Sequence, residues 1–153
     1  MQWSQIIFRL MLIRALPLAW LAGLRLLRLD EQGCSISLRY GYLTKNPFGS
    51  IYFAALSMAA EMSTGLPALM FIRNQKLNCS MLVTDFSARY FKKAVGVIVF
   101  KFENVALMQQ LITDAVNDPL GKSFTAVSRG YNEVGDLVAE MEVHWSFKAR
   151  TRH

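Results

Sequence analysis

The sequence predicts an α+β fold in which a curled, mostly antiparallel sheet wraps around a long central apolar helix. Three observations point there. Ile51 to Ile72 is an almost unbroken apolar run of helical length with one carboxylate, Glu61, near its middle. The stretches after it are rich in β-branched and aromatic residues, alternate with a period of two, and enclose one short helical segment, the element order of an α+β chain. The long helix has no polar face, so other elements must cover it, and its many Ala, Ser, Thr and Gly residues between Ala54 and Ala68 let strands approach closely.

Taken in order, the chain opens with "MQWSQIIFRLMLIRALPLAW", which predicts an amphipathic helix from Ser4 to about Leu16 ended by Pro17, whose ring and missing N–H do not continue a helix. Residues 1–29 read as this helix and a lead-in, and residues 30–153 as a single domain. A cleaved leader over Ala15 to Leu24 is disfavoured by Arg9 and Arg14 before it and Arg25 and Arg28 after it. Contact of the helix with lipid headgroups is the lesser alternative. Beyond the turn at Glu31, Gln32 and Gly33, Cys34 to Tyr42 alternates Ile36, Leu38 and Tyr40 with Ser35, Ser37 and Arg39, a half-buried strand.

The apolar run comes next. It is long enough to span a bilayer, but Glu61 would stand at the midplane and Pro67 interrupts the run, so it reads as a core helix. Met81 to Phe91 and Val95 to Phe102 read as strands separated by Lys92, Lys93 and Ala94. Asn104 suits the cap of a helix carrying Met108, Leu111, Ile112 and Ala115 at helical spacing, ended by the turn from Asn117 to Gly121. Ser123 to Tyr131 is strand again. In the last strand Leu137, Ala139, Met141, Val143, Trp145 and Phe147 alternate with Val138, Glu140, Glu142, His144, Ser146 and Lys148.

Composition narrows the function. With 153 residues, 53% hydrophobic and 18% charged, the chain is a single domain able to bury a core and is unlike a disordered protein. The net charge of +6 favours an anionic partner, yet the basic residues are scattered and no nucleic-acid motif accompanies them. Cys34 and Cys79 lie far apart with no metal-ligand spacing, which fits reduced thiols in the cytoplasm. The only histidines are His144 and His153, so a multi-histidine metal site and a Ser-His-Asp triad are both disfavoured. In an enzyme of this composition a carboxylate does the work.

The loop entering the long helix reads "NPFGSIYFA". It resembles the Asn-x-x-Gly-x-x-His-Gly-Gly loop of hotdog-fold thioesterases of the phenylacetyl-CoA and 4-hydroxybenzoyl-CoA thioesterase-like branch. Asn46 and Gly49 match, Tyr52 replaces the histidine, Phe53 and Ala54 replace the glycines, and Glu61 falls on the acid position nine residues on. "RYFKKAVG", Arg89 to Gly96, is similar to their turn between two strands, and "GDLVAEMEV", Gly135 to Val143, to their last strand. "TKNPFGSIYFAALSMAAEMSTG" and "WSFK" most resemble an uncharacterised branch of that superfamily, a domain of unknown function. The resemblance implies a hotdog fold, hydrolysis of an acyl-CoA-type thioester with coenzyme A as part of the substrate and no separate cofactor or metal, and a homodimer or tetramer with its sites between chains.

An acid inside an apolar helix is costly to ionise, which raises its pKa toward the range where a carboxylate is an effective general base. Glu61 is therefore the expected base or nucleophile. The first helical turn offers amides to an oxyanion, assigned to Tyr52, Phe53 and Ala54, and Asn46 is expected to position water or the carbonyl. Gly49, Ser50, Lys92 and Lys93 are expected to contact substrate, the lysines through cofactor phosphates, and Ser80 or Thr84 is a further polar candidate. Glu61 stands about 13 to 14 Å along the axis from Tyr52 and half a revolution away, so a composite site needs a second chain. Two other readings compete: a non-catalytic acyl- or lipid-binding protein, and a structural Glu61, hydrogen-bonded across a helix pair or paired with an arginine.

Overall fold

Pro17 both ends one helix and begins another. In the computed structural model, which describes residues 5–150, α1 (Gln5–Ala15) stops before it, and Pro17 takes the first position of α2 (Pro17–Leu21), where the amide it lacks has no helical partner to lose. Ser4, the expected start of the first helix, lies outside the described residues, as does His153. Gly23, in the left-handed region at φ 75°, then turns the chain into β1 (Arg25–Leu29). This strand falls in what reads from sequence as lead-in, because "RLLRL" lacks the alternation that marks a strand, and in the fold Leu26 is buried while Leu27 stays exposed.

The remaining elements are β2 (Cys34–Arg39), α3 (Phe53–Asn74), β3 (Cys79–Tyr90), β4 (Val97–Phe102), α4 (Val105–Ala115), β5 (Lys122–Tyr131) and β6 (Leu137–Ala149). The six strands form one sheet in the order β1-β2-β4-β5-β6-β3, with every pairing antiparallel. This is the curled sheet around a central helix that the sequence predicts, the hotdog arrangement. Along β6, Ala139, Met141, Val143, Trp145 and Phe147 all point inward, as their alternation requires. β1 and β3 are the sheet edges.

α3 packs against β2, β4 and β5 and more lightly against β6 and β3. Its first half shares a core with Phe8 and Leu12 of α1 and with Ile36, Leu38, Ile98 and Phe100; its second half joins Met108 and Ile112 of α4 with Phe124, Trp145 and Phe147. The segment before residue 30 thus supplies part of the core. Pro67, expected to interrupt the helix, lies inside it. It withholds the one amide that the Ser63 carbonyl would accept and sets its ring against that carbonyl, yet the helix continues through it, buried in the fold. By length and composition α3 resembles a membrane span, but most of it is enclosed by the fold.

Two buried polar contacts tie α3 to the sheet. The Ser63 and Ser128 hydroxyls lie 2.7 Å apart, and Trp145 Nε1 donates to Thr64 Oγ1 at 3.0 Å. Among the described residues no buried side-chain nitrogen or oxygen lacks a partner. Contrary to the expectation of complete cover, a stripe of α3 made by Ala54, Ser57, Met58 and Glu61 is only half-buried.

Candidate active site

That stripe forms one wall of a groove of about 610 Å³, and Phe86, Ala88 and Tyr90 of β3 form the other. Helical geometry produces the first wall, because seven residues from Ala54 to Glu61 make almost two full turns and keep both on one face. Strand geometry produces the second, since alternate residues of β3 share a face. Sequence reasoning named Glu61 and Ala54 but none of Met58, Phe86, Ala88 or Tyr90. Met58 was within reach, three residues before Glu61 on the same face, whereas the strand residues become neighbours only once the sheet is assembled.

Glu61 is the one carboxylate in this apolar lining. Desolvation by burial pushes its pKa above the ordinary value of 4.5. Its side chain has no hydrogen bond or ion pair among the described residues, so the reading in which a buried arginine holds it is not met within this chain. Gly65 explains part of its setting. A Cβ there would stand 2.9 Å from Trp145 Cζ2 and 3.1 Å from Glu61 Oε1, so the absent side chain lets the indole lie against the helix beside the carboxylate.

A second groove, of about 590 Å³, adjoins the first and shares Phe53 and Tyr90 with it. It gathers Asn46, Ser50, Tyr52, Phe53, Lys92 and Lys93, residues that the sequence analysis had selected from two distant stretches. Gly49 adopts φ 73° with nothing near a would-be Cβ, so it is required by conformation rather than by crowding.

Asn46 has a different task from the one expected. Its Oδ1 accepts from the amides of Phe48 at 3.0 Å and Ser50 at 3.2 Å, while its Nδ2 donates to Ser50 Oγ at 3.0 Å. Both ends of the side chain are taken up in closing the loop, and neither is left for water or a carbonyl. The Tyr52 amide is likewise engaged, donating to the Thr44 carbonyl at 2.7 Å, because the bridge of Lys45 to Ile51 holds these segments side by side. The amides of Phe53 and Ala54, at the start of α3, have no partner among the described residues and sit where the two grooves meet.

The two lysines of the turn after β3 are exposed but engaged. Lys92 Nζ lies 2.8 Å from Asp136 Oδ2 and holds that carboxyl below its usual range, and Lys93 Nζ donates to the Phe48 carbonyl at 3.1 Å. Ser80 and Thr84 bond to backbone carbonyls of β6 and line neither groove. His144 meets Thr125 Oγ1 at 3.0 Å and lies 4.0 Å from Asp85, on an exposed face of the sheet away from Glu61. Among the described residues no group of acidic, histidine and cysteine side chains is arranged to hold a metal.

Several solved structures share the fold at low sequence identity. A Pseudomonas aeruginosa protein of unknown function, named as a thioesterase candidate, matches with a TM-score of 0.79 and 18% identity over 98% of this chain and 99% of that one. A Chlorobaculum tepidum protein of unknown function matches with a TM-score of 0.80 and 12% identity over 95% and 94% of the two chains. A Haemophilus influenzae thioesterase matches with a TM-score of 0.72 and 11% identity over 100% and 96%. Identities this low establish the common fold and leave the reaction to the site. No curated protein matches the sequence. Residues 4–147 match the model of one family, and the chain belongs to it: DUF4442, a domain of unknown function.

Proposed function

We propose that the protein is a thioesterase that hydrolyses an acyl-CoA-type thioester at a composite site between two chains. The observation that carries this reading is Glu61, an unpaired carboxyl with a raised pKa that opens into an apolar groove. A structural acid held by its own chain would be expected to have a partner there, and Glu61 has none among the described residues. As general base it activates water for attack on the thioester carbonyl; as nucleophile it attacks that carbonyl itself. The amides of Phe53 and Ala54 stabilise the oxyanion, aided by the positive end of the α3 dipole. The acyl chain takes the groove beside Met58 and Phe86, while Lys92 and Lys93 of the second groove face the coenzyme end, with Gly49 and Ser50 shaping the loop beside them.

One chain does not complete this arrangement. Ala54 and Glu61 share a face but are about 10 Å apart along the axis, and a carbonyl has to sit within about 3 Å of both base and donors. A second chain supplies the missing half. β3 is a long sheet edge with no described partner on its outer side, and its only charged residues are Asp85 and Arg89. Two copies of β3 running antiparallel about Ser87 bring Asp85 of each strand opposite Arg89 of the other and join the two sheets beside the grooves.

The departure of Tyr52, Phe53 and Ala54 from His-Gly-Gly favours a second reading, a non-catalytic acyl-binding protein, because the half-exposed Phe53 side chain stands where a glycine would leave space. A hydrolysis screen over acyl-CoAs of graded chain length and aromatic character decides between them. Turnover that disappears in Glu61→Gln supports the thioesterase, whereas saturable binding without turnover in the wild type overturns it in favour of the binding protein.

A further inference from the structure

We infer that the N-terminal helical pair is a docking surface for an anionic phospholipid bilayer, an inference independent of the chemistry at Glu61. α1 is apolar on both sides. Phe8 and Leu12 point inward and are fully buried, while on the opposite side Ile6, Leu10 and Ile13 are 71%, 56% and 47% exposed. These three fall at i, i+4 and i+7, a single outward stripe. Arg9 and Arg14 project about 60–70° to either side of it, as the rotation of roughly 100° per residue requires. Both are exposed. α2 adds Leu18, Trp20 and Leu21, all at least 43% exposed, around the single buried Ala19.

An outward apolar stripe of this kind needs an occupant, and charge selects it. No aspartate or glutamate occurs before Asp30, whereas Arg9, Arg14, Arg25 and Arg28 all do. Arg28 is held by Asp30 at 2.6 Å, and Arg9, Arg14 and Arg25 have no ion-pair partner among the described residues. A second copy docking through the same stripe about a two-fold axis would face arginines with arginines and no acid between them, a costly arrangement. A bilayer with negative headgroups satisfies both features at once. The Ile and Leu side chains enter the acyl boundary, the flanking arginines reach up to phosphates, and Trp20 suits the interfacial layer. The helix lies along the surface, since 11 residues are too few to cross it.

The test is flotation of the full chain with vesicles of phosphatidylcholine alone or mixed with phosphatidylglycerol. The protein is expected to float with the anionic vesicles, to stay behind with the neutral ones, and to be released by salt. I6S/L10S/I13S should lower partitioning roughly tenfold or more, and R9Q/R14Q should remove most of the preference for anionic lipid. Because all five side chains face outward, the thermal midpoint of each variant should match the wild type, which separates lost docking from lost folding. Failure of the wild type to float with anionic vesicles overturns the inference, as does undiminished flotation of the folded triple variant. A triple variant that instead loses a subunit in light scattering, with no lipid binding in the wild type, assigns the stripe to a second copy.

Discussion

In the proposed role of Glu61 as base, its burial has opposite consequences for catalysis and for stability. In the unfolded chain it ionises near 4.5, whereas in the fold burial delays ionisation to a higher pH. Between those two values the unfolded state has lost a proton that the folded state keeps, so stability falls as pH rises through the window and stays lower above it. Activity of the proposed thioesterase runs the other way, because a general base works only when ionised. The rate is expected to rise with pH along an acidic limb displaced above 4.5. Replacing Glu61 with Gln should cost at least about a hundredfold in kcat, the scale of general-base removal, while leaving the neutral-pH fold as stable as before or more so. In urea unfolding the advantage of the variant should vanish below the unfolded pKa. A variant that is strongly destabilised yet keeps its specific activity would reverse the assignment of Glu61.

At the scale of elements, the turn between β3 and β4 offers the next measurement. If Lys92 and Lys93 hold cofactor phosphates, changing both to Ala should raise KM for an acyl-CoA and flatten its salt dependence, with kcat nearly unchanged. A pantetheine thioester without the nucleotide should show no such change. Equal losses on both substrates would mean that breaking the Lys92–Asp136 and Lys93–Phe48 contacts has disturbed the loop instead. The lysines were visible in the sequence because a charged pair between two β-rich runs marks a turn. β6 was visible for a related reason: its side chains face two different environments, and the alternation records them. β1 left no such record, since "RLLRL" interleaves Arg and Leu without a period. The division of labour at the start of α3 was hidden more deeply. Whether the Tyr52 or the Phe53 amide is available depends on where the Thr44 carbonyl lies, and that is a property of the folded loop. The opposite wall of the groove, Phe86 and Tyr90, likewise exists only through sheet pairing.

For the whole molecule, the proposed site requires a dimer. Light scattering at micromolar concentration should return about twice the chain mass of 17.3 kDa. Arg89→Asp, which sets acid against acid across paired β3 strands, should weaken the dimer roughly tenfold, and Asp85→Arg combined with it should restore association. A monomeric wild type would remove the composite site. A dimer indifferent to these changes would place the contact elsewhere. Within each chain, the Ser63–Ser128 hydrogen bond has a role beyond filling a polar need. The many small apolar residues of α3 distinguish one rotation about its axis from the next less sharply than large side chains would, so polar contacts add to the preference. Ser63 and Thr64, bonded to Ser128 and Trp145, supply those contacts and act as an index pin. Glu61 and Ser63 are two residues apart, so any slip at the pin swings the carboxylate through the same angle. Ser63→Ala alone strands the Ser128 hydroxyl and should cost about 1–3 kcal/mol in urea unfolding. Changing both serines to Ala should recover most of that stability, and the recovered protein should still hydrolyse thioesters more slowly, because what the pair fixes is the bearing of the acid.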